Sequence, residues 1–102
     1  MRRQGGVLIQ EVAAIPRSAR RHKTTVLASG DITGHRHRIE DHRTVRIFSR
    51  RVGPGAELFL EVTAEKARVV HPEHETIVLP KGRYRVWRQR EFEGSGARVV
   101  GD

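Results

Sequence analysis

The sequence predicts a small all-β domain, a sandwich or barrel of about 8–9 short strands. Three observations carry that expectation. Apolar and polar residues alternate along most of the chain, as in a strand with one buried face, and no stretch of about 12 residues keeps the helical period. Clusters of glycine, proline and aspartate cut the alternating segments at short intervals. A chain of 102 residues is sized for one core, so residues 1–102 are read as a single domain.

Val7–Val12 reads as a strand. Ala13–His22 reads as a loop, because Pro16 blocks regular pairing and RSARRHK is too polar to bury. Thr24–Ala28 is β-branched and apolar, a second strand, and Ser29-Gly30-Asp31 and Gly34 break the chain after it. His35–Ile39 extends as a short strand before the turn-like Glu40-Asp41-His42. Thr44–Ser49 places Val45 and Ile47 on one face, and Val52-Gly53-Pro54-Gly55 is the clearest turn in the chain. Glu57–Thr63 aligns Leu58, Leu60 and Val62 on one face. Ala64–Lys66 reads as a tight connection, Ala67–Val70 as a strand, His71–Glu75 as a loop held by Pro72, and Thr76–Leu79 as a short strand. Pro80-Lys81-Gly82 is expected to turn the chain into the longest candidate, Arg83–Phe92. There Tyr84 and Val86 share a face and Trp87 takes the other, which predicts a bulge or burial on both faces. Gly94-Ser95-Gly96 is a further break, and Ala97–Val100 adds an edge strand.

The bulk numbers narrow the function classes. The chain has no cysteine, which excludes disulfides, thiolate metal sites and a cysteine nucleophile. No apolar run approaches the roughly 18 residues of a membrane span. The segment MRRQGGVLIQEV lacks a secretory apolar stretch, so the cytoplasm is the expected compartment. The net charge of +8 comes from 20 basic and 12 acidic residues, a surface that attracts anions, nucleic acid included.

Histidine carries the chemistry. Four of the six histidines lie in two short pieces, GHRHR (Gly34–Arg38) and HPEHE (His71–Glu75). In a strand, His35 and His37 project to one face while Arg36 and Arg38 take the other. His71 and His74 converge across a proline-bearing loop. Imidazole suits Zn, Fe, Ni and Cu, so the expected cofactor is a divalent transition metal (Zn, Fe, Ni or Mn) held by His35, His37, His71 and His74. Glu73 and Glu75 are the candidate oxygen ligands, partners for an imidazole N–H, or general bases of a metal-dependent hydrolysis. Two other accounts stand beside this one: loop histidines that cap loops or bond to backbone, and a cluster that binds an acidic group or responds to pH. His22 and His42 fall in charged loops and are expected at the surface.

Two family resemblances rest on particular residues. His35-Arg36-His37, Glu40 and the Pro80-Lys81-Gly82 segment resemble parts of the cupin pattern. Glu40 comes earlier than in that pattern, and Tyr84 stands where a histidine follows the glycine. The order RQGGVLI, VLASGDITGHRHRI, FLEV, VVHPEHETIVLPKGRYRVWRQREF and RVV-x-D is similar, over nearly the whole chain, to a family of small bacterial and phage proteins. That pattern runs QGDVL, TGH-x-H, HEEH, LP-x-G-x-Y-x-V and RQREY. This chain departs at Gly6, where the pattern has aspartate, and at Phe92, where it has tyrosine. The resemblance implies that both histidine pairs serve one site, and it implies no particular activity.

RYRVWRQREF raises the alternative function. Arg83, Arg85, Arg88 and Arg90, with Arg36 and Arg38, are the candidate contacts to nucleic acid or another anion, as in an accessory module of a phage or its host. The simpler account buries Tyr84 and Trp87 in the core and leaves the arginines solvated. A third reading is an assembly subunit whose β edges pair between copies, a homo-oligomer.

Overall fold

The computed structural model describes residues 1–29, 34–53, 55–88, 90–93 and 96–99. The breaks expected at Gly30-Asp31, Pro54 and Gly94-Ser95, and the end of the strand expected at Val100, lie outside the described residues. The chain forms a small all-β fold built on one eight-stranded sheet that does not close.

The sheet starts with a hairpin, β1 (Arg2–Gln4) and β2 (Val7–Glu11). Gly5-Gly6 turns it, and Gly5 at φ 56° takes the positive value such a two-residue turn demands. Strand β3 (Arg20–Arg21) is a two-residue fragment inside the expected loop. Then come β4 (Val26–Ser29), β5 (Arg36–Ile39), a 3-10 turn (His42–Thr44) and β6 (Val45–Val52). Asp41 caps that turn by accepting from the Arg43 N–H, and the Arg43 guanidinium holds its carboxyl below the usual range. Two long strands come next, β7 (Gly55–Val70) and β8 (Ile77–Arg88). A separate hairpin, β9 (Arg90–Glu93) with β10 (Gly96–Val99), ends the described chain.

All pairings are antiparallel. The order across the sheet is β1-β2-β8-β7-β5-β4. Strand β8 lines one edge of β7. The other edge is shared: β6 pairs with its first half, from Val52↔Gly55 to Val45↔Val62, and β5 with its end, at Arg38↔Val70 and Ile39↔Val69. β3 pairs β6 at Arg20↔Ser49 and Arg21↔Phe48.

Two expected connections are bends within strands. Ala64–Lys66 lies inside β7 and Pro80-Lys81-Gly82 inside β8. Val62 pairs Gly82 and Lys66 pairs Pro80, so Thr63, Ala64 and Glu65 together oppose Lys81 alone. This bulge tolerates Pro80, which has no N–H for the ladder, and sets Gly82 at φ 155°. The nearest atoms to a Cβ at Gly82 are Glu11 Oε2 and Tyr84 Oη, both at 3.6 Å, so space is adequate and the backbone is the obstacle. Gly82→Ala is therefore expected to destabilise by about 1–3 kcal/mol, read as a lower urea midpoint; an unchanged midpoint would remove the backbone argument.

The core fills the inner face by the alternation read in the sequence. Val45 and Ile47 of β6, Leu60 and Val62 of β7, and Tyr84 and Val86 of β8 are buried together with Val7, Ile9 and Ile39. Trp87 departs from expectation. It is half-buried on the outer face, directly across from Leu8, and Arg85 stacks at 4.7 Å from its ring centroid. Burial on both faces is thus the outcome near Trp87, while the bulge sits earlier in the strand.

Candidate functional site

The strand parity of β5 holds. His37 and Ile39 are buried, and Arg36 and Arg38 are exposed. Because β5 pairs with the last residues of β7, its leading end lies beside the loop that leaves β7 at His71. The two histidine pairs therefore meet. Ring centroids stand 4.2 Å apart for His37–His71, 4.5 Å for His71–His74, 5.6 Å for His35–His71 and 5.9 Å for His37–His74. His37 is 1% exposed and His71 8% exposed, which is deep for imidazoles. His22 and His42 are exposed and apart from this group, as expected.

A residue that sequence reasoning misses organises the site. Gln4, at the end of β1, is 2% exposed. Its Nε2 donates to Val69 O at 3.0 Å and to Glu75 O at 2.8 Å. Carbonyls only accept, so the amide has one consistent orientation and its Oε1 is the atom 2.9 Å from His37 Nδ1. His37 Nδ1 must then carry the proton. In the neutral ring the lone pair is left on Nε2. The only signal for Gln4 in the sequence is its place at the head of the QGGVL segment of the family pattern.

The other rings are held differently. His71 Nδ1 accepts from the Glu73 N–H at 3.0 Å, so a neutral His71 carries its proton on Nε2. His35 Nδ1 lies 3.0 Å from Glu73 Oε1, placing a carboxylate against that imidazole. Glu75 enters through its backbone carbonyl, and its side chain is exposed. Among the described residues, no three His, Asp or Glu side chains are grouped to hold an ion as they stand.

The arginines divide by face and partner. On the outer face of β6, β7 and β8, Glu61 lies 3.6 Å from Arg46 and 3.8 Å from Arg83. Glu57 lies 2.7 Å from Arg50 and 3.2 Å from Arg85. Arg83 and Arg85 are thus members of a cross-strand charge ladder, not free solvated cations. The ladder also covers Phe59, which is 4% exposed with the Arg50 guanidinium 5.9 Å from its centroid. Arg88 borders a recess with Trp87 and Leu27. The Arg90 side chain lies outside the described residues. Arg36 and Arg38 line a cleft of about 480 Å³ together with His35, His71 and Val70.

Fold and site together define a small all-β domain in which the rings of His35, His37, His71 and His74 lie near one another where β5 meets the end of β7. A family model described as "Domain of unknown function (DUF8820)" matches residues 3–89, and the chain belongs to that family. The match spans Gln4 and both histidine pairs; it carries no cupin assignment. No curated protein and no solved structure matches the chain. Among the described residues, no helix is long and apolar enough to cross a membrane.

Proposed function

We propose that this protein binds a divalent transition metal ion at the cluster of His35, His37, His71 and His74. The observation that carries the reading is the Gln4 clamp. Metal-binding histidines characteristically donate their second ring N–H to a fixed acceptor, which sets the tautomer and turns the other nitrogen into a ligand. Gln4 does this for His37, and it is itself anchored by two backbone carbonyls. Glu73 places a carboxylate oxygen 3.0 Å from His35 Nδ1.

Ring spacing supports the reading. Imidazoles that share an ion at ~2.0–2.1 Å place their centroids about 4.5–5.5 Å apart. The observed separations of 4.2–5.9 Å lie close to that range, and gathering the ligands on one ion requires side-chain rotation. His71 must first release the Glu73 N–H or turn its ring, because its Nδ1 is engaged. Nitrogen donors without thiolates favour Zn, Ni or Fe over Mn. Where one position is left to water, the acidified water supports hydrolysis, and Glu73 is the better-placed base because it already contacts the cluster.

Untagged, chelator-treated protein is expected to bind close to one equivalent of zinc or nickel. Saturating metal is expected to raise its melting temperature by about 10 °C or more. His37→Ala is expected to abolish that rise. A melting temperature indifferent to Zn, Ni, Fe and Mn would defeat the proposal.

A further inference from the structure

The arginine face of GHRHR is not absorbed by the metal reading. Arg36 and Arg38 alternate with His37 on β5 and are both exposed. On an extended strand, side chains two residues apart emerge on one face about 6.5–7 Å from each other. Both line the cleft of about 480 Å³ together with Val70, His35 and His71. The volume falls in the range of small-molecule sites, roughly 300–1,000 Å³.

Charge separates these arginines from their neighbours. Arg68, on the adjoining β7, has Glu40 at 3.2 Å. Arg46, Arg50, Arg83 and Arg85 each have a glutamate within 4 Å. Arg36 and Arg38 form no ion pair with another described residue. Two arginines therefore line one cleft with no carboxylate of the described residues paired to either, and His35 and His71 line the same cleft. Guanidinium forks match the oxygens of phosphate and carboxylate in paired hydrogen bonds. Two positive charges at this spacing favour a dianion over a monoanion, and a phosphate monoester carries nearly two negative charges at neutral pH.

We infer that Arg36 and Arg38 bind the phosphate group of a small phosphorylated molecule in the cleft beside the histidine cluster. The placement of that phosphate next to a metal ion rests on the function proposed above; the phosphate cleft itself stands on Arg36, Arg38 and the open wall they share. An extended nucleic acid is the less favoured occupant, because the other arginines that would prolong its track across β7 and β8 are held in the charge ladder.

The test is calorimetric titration of chelator-treated protein with inorganic phosphate, with acetate and with a single-stranded ten-nucleotide oligothymidylate. The expected result is saturable 1:1 phosphate binding at low salt. It is expected to weaken about tenfold or more in Arg36→Gln/Arg38→Gln and to persist in Arg83→Gln. Both changes are at exposed positions, and circular dichroism checks that the fold is kept. Absence of saturable phosphate binding, or binding insensitive to the double substitution, would overturn the inference. Acetate binding as tight as phosphate would overturn the dianion assignment. Oligothymidylate binding tighter than phosphate, with a log–log salt slope of several times about −0.7, would transfer the arginines to a nucleic-acid interface and overturn the small-molecule site. Repeating the phosphate titration with zinc present separates the two proposals. Phosphate binding without zinc binding sinks only the metal, and zinc binding without phosphate binding sinks only the cleft.

Discussion

Gln4→Leu is expected to lower the melting temperature by about 10–20 °C and to weaken transition-metal binding by about 10–100-fold. The substitution keeps the approximate shape of the side chain and removes all of its polar atoms. Three groups then lose their partner: the Val69 carbonyl, the Glu75 carbonyl and the His37 Nδ1–H. A buried polar group left unsatisfied costs about 1–3 kcal/mol, and water reaches the Glu75 carbonyl most easily, so the total is expected near 3 kcal/mol. In a domain this size, each kcal/mol moves the melting temperature by about 4–8 °C. Metal affinity falls for a separate reason. Without an acceptor at Nδ1, His37 is free to place its proton on Nε2 and to rotate. Gln4→Glu separates the two effects. A carboxylate still accepts from His37 but donates to neither carbonyl, so it is expected to lose stability while keeping most of the zinc affinity. Thermal melts and zinc titrations on both variants check this. Equal loss of zinc affinity in the two would show that Gln4 acts through the fold alone.

Much of this site is legible in the sequence because strand parity is a local rule. His37 and Arg36 are neighbours in sequence, and the period of two alone sends them to opposite faces. Gln4 is not legible in that way. Its partners are 65 and 71 residues further along the chain and are backbone carbonyls, which leave no trace in residue type. A polar residue three positions before an apolar strand reads as surface until the groups around it are known.

The fold is readable in class and less so in connection. The alternation in TVRIFS and ELFLEVT puts Val45, Ile47, Leu60 and Val62 in the core, where they are. The segment around Pro80 reads as a turn because proline and glycine mark any departure from straight β geometry, and Ala64–Lys66 reads as a connection between two strands. Whether such a departure reverses the chain or only bends it depends on the partner strand. Here β7 and β8 bend together at one bulge, so both continue. Trp87 shows a related limit. Scarcity of aromatics argues for placing it inside, yet the outer face offers Leu8 and Arg85 as cover.

The bend itself predicts the other large effect. Tyr84→Ala is expected to cost about 3–5 kcal/mol, and Tyr84→Phe about 1–2 kcal/mol. Tyr84 is fully buried, pairs with Leu60 across the β7–β8 ladder, and donates its hydroxyl to Pro80 O at 2.6 Å. The ring fills the core beside the bulge, and the hydroxyl closes the bend four residues back along its own strand. Alanine removes both; phenylalanine removes only the hydroxyl and leaves the Pro80 carbonyl without its donor. Urea denaturation of the three proteins apportions the two contributions. If phenylalanine is as costly as alanine, the hydrogen bond rather than the packed ring holds the bend. The phenol adds a pH signature. Burial pushes its pKa above the ordinary 10.0, so the unfolded chain ionises first as pH rises and the folded state loses ground from about pH 10 upward. Tyr84→Phe lacks this group, so the stability gap between the parent and the phenylalanine variant is expected to narrow above pH 10. Zinc and phosphate binding by Tyr84→Phe are expected to match the parent at neutral pH, because Tyr84 bonds to Pro80 and not to the residues that clamp the histidines. A phenylalanine variant that folds yet loses either ligand would mean that the bend, and not Gln4 alone, sets the position of the cluster.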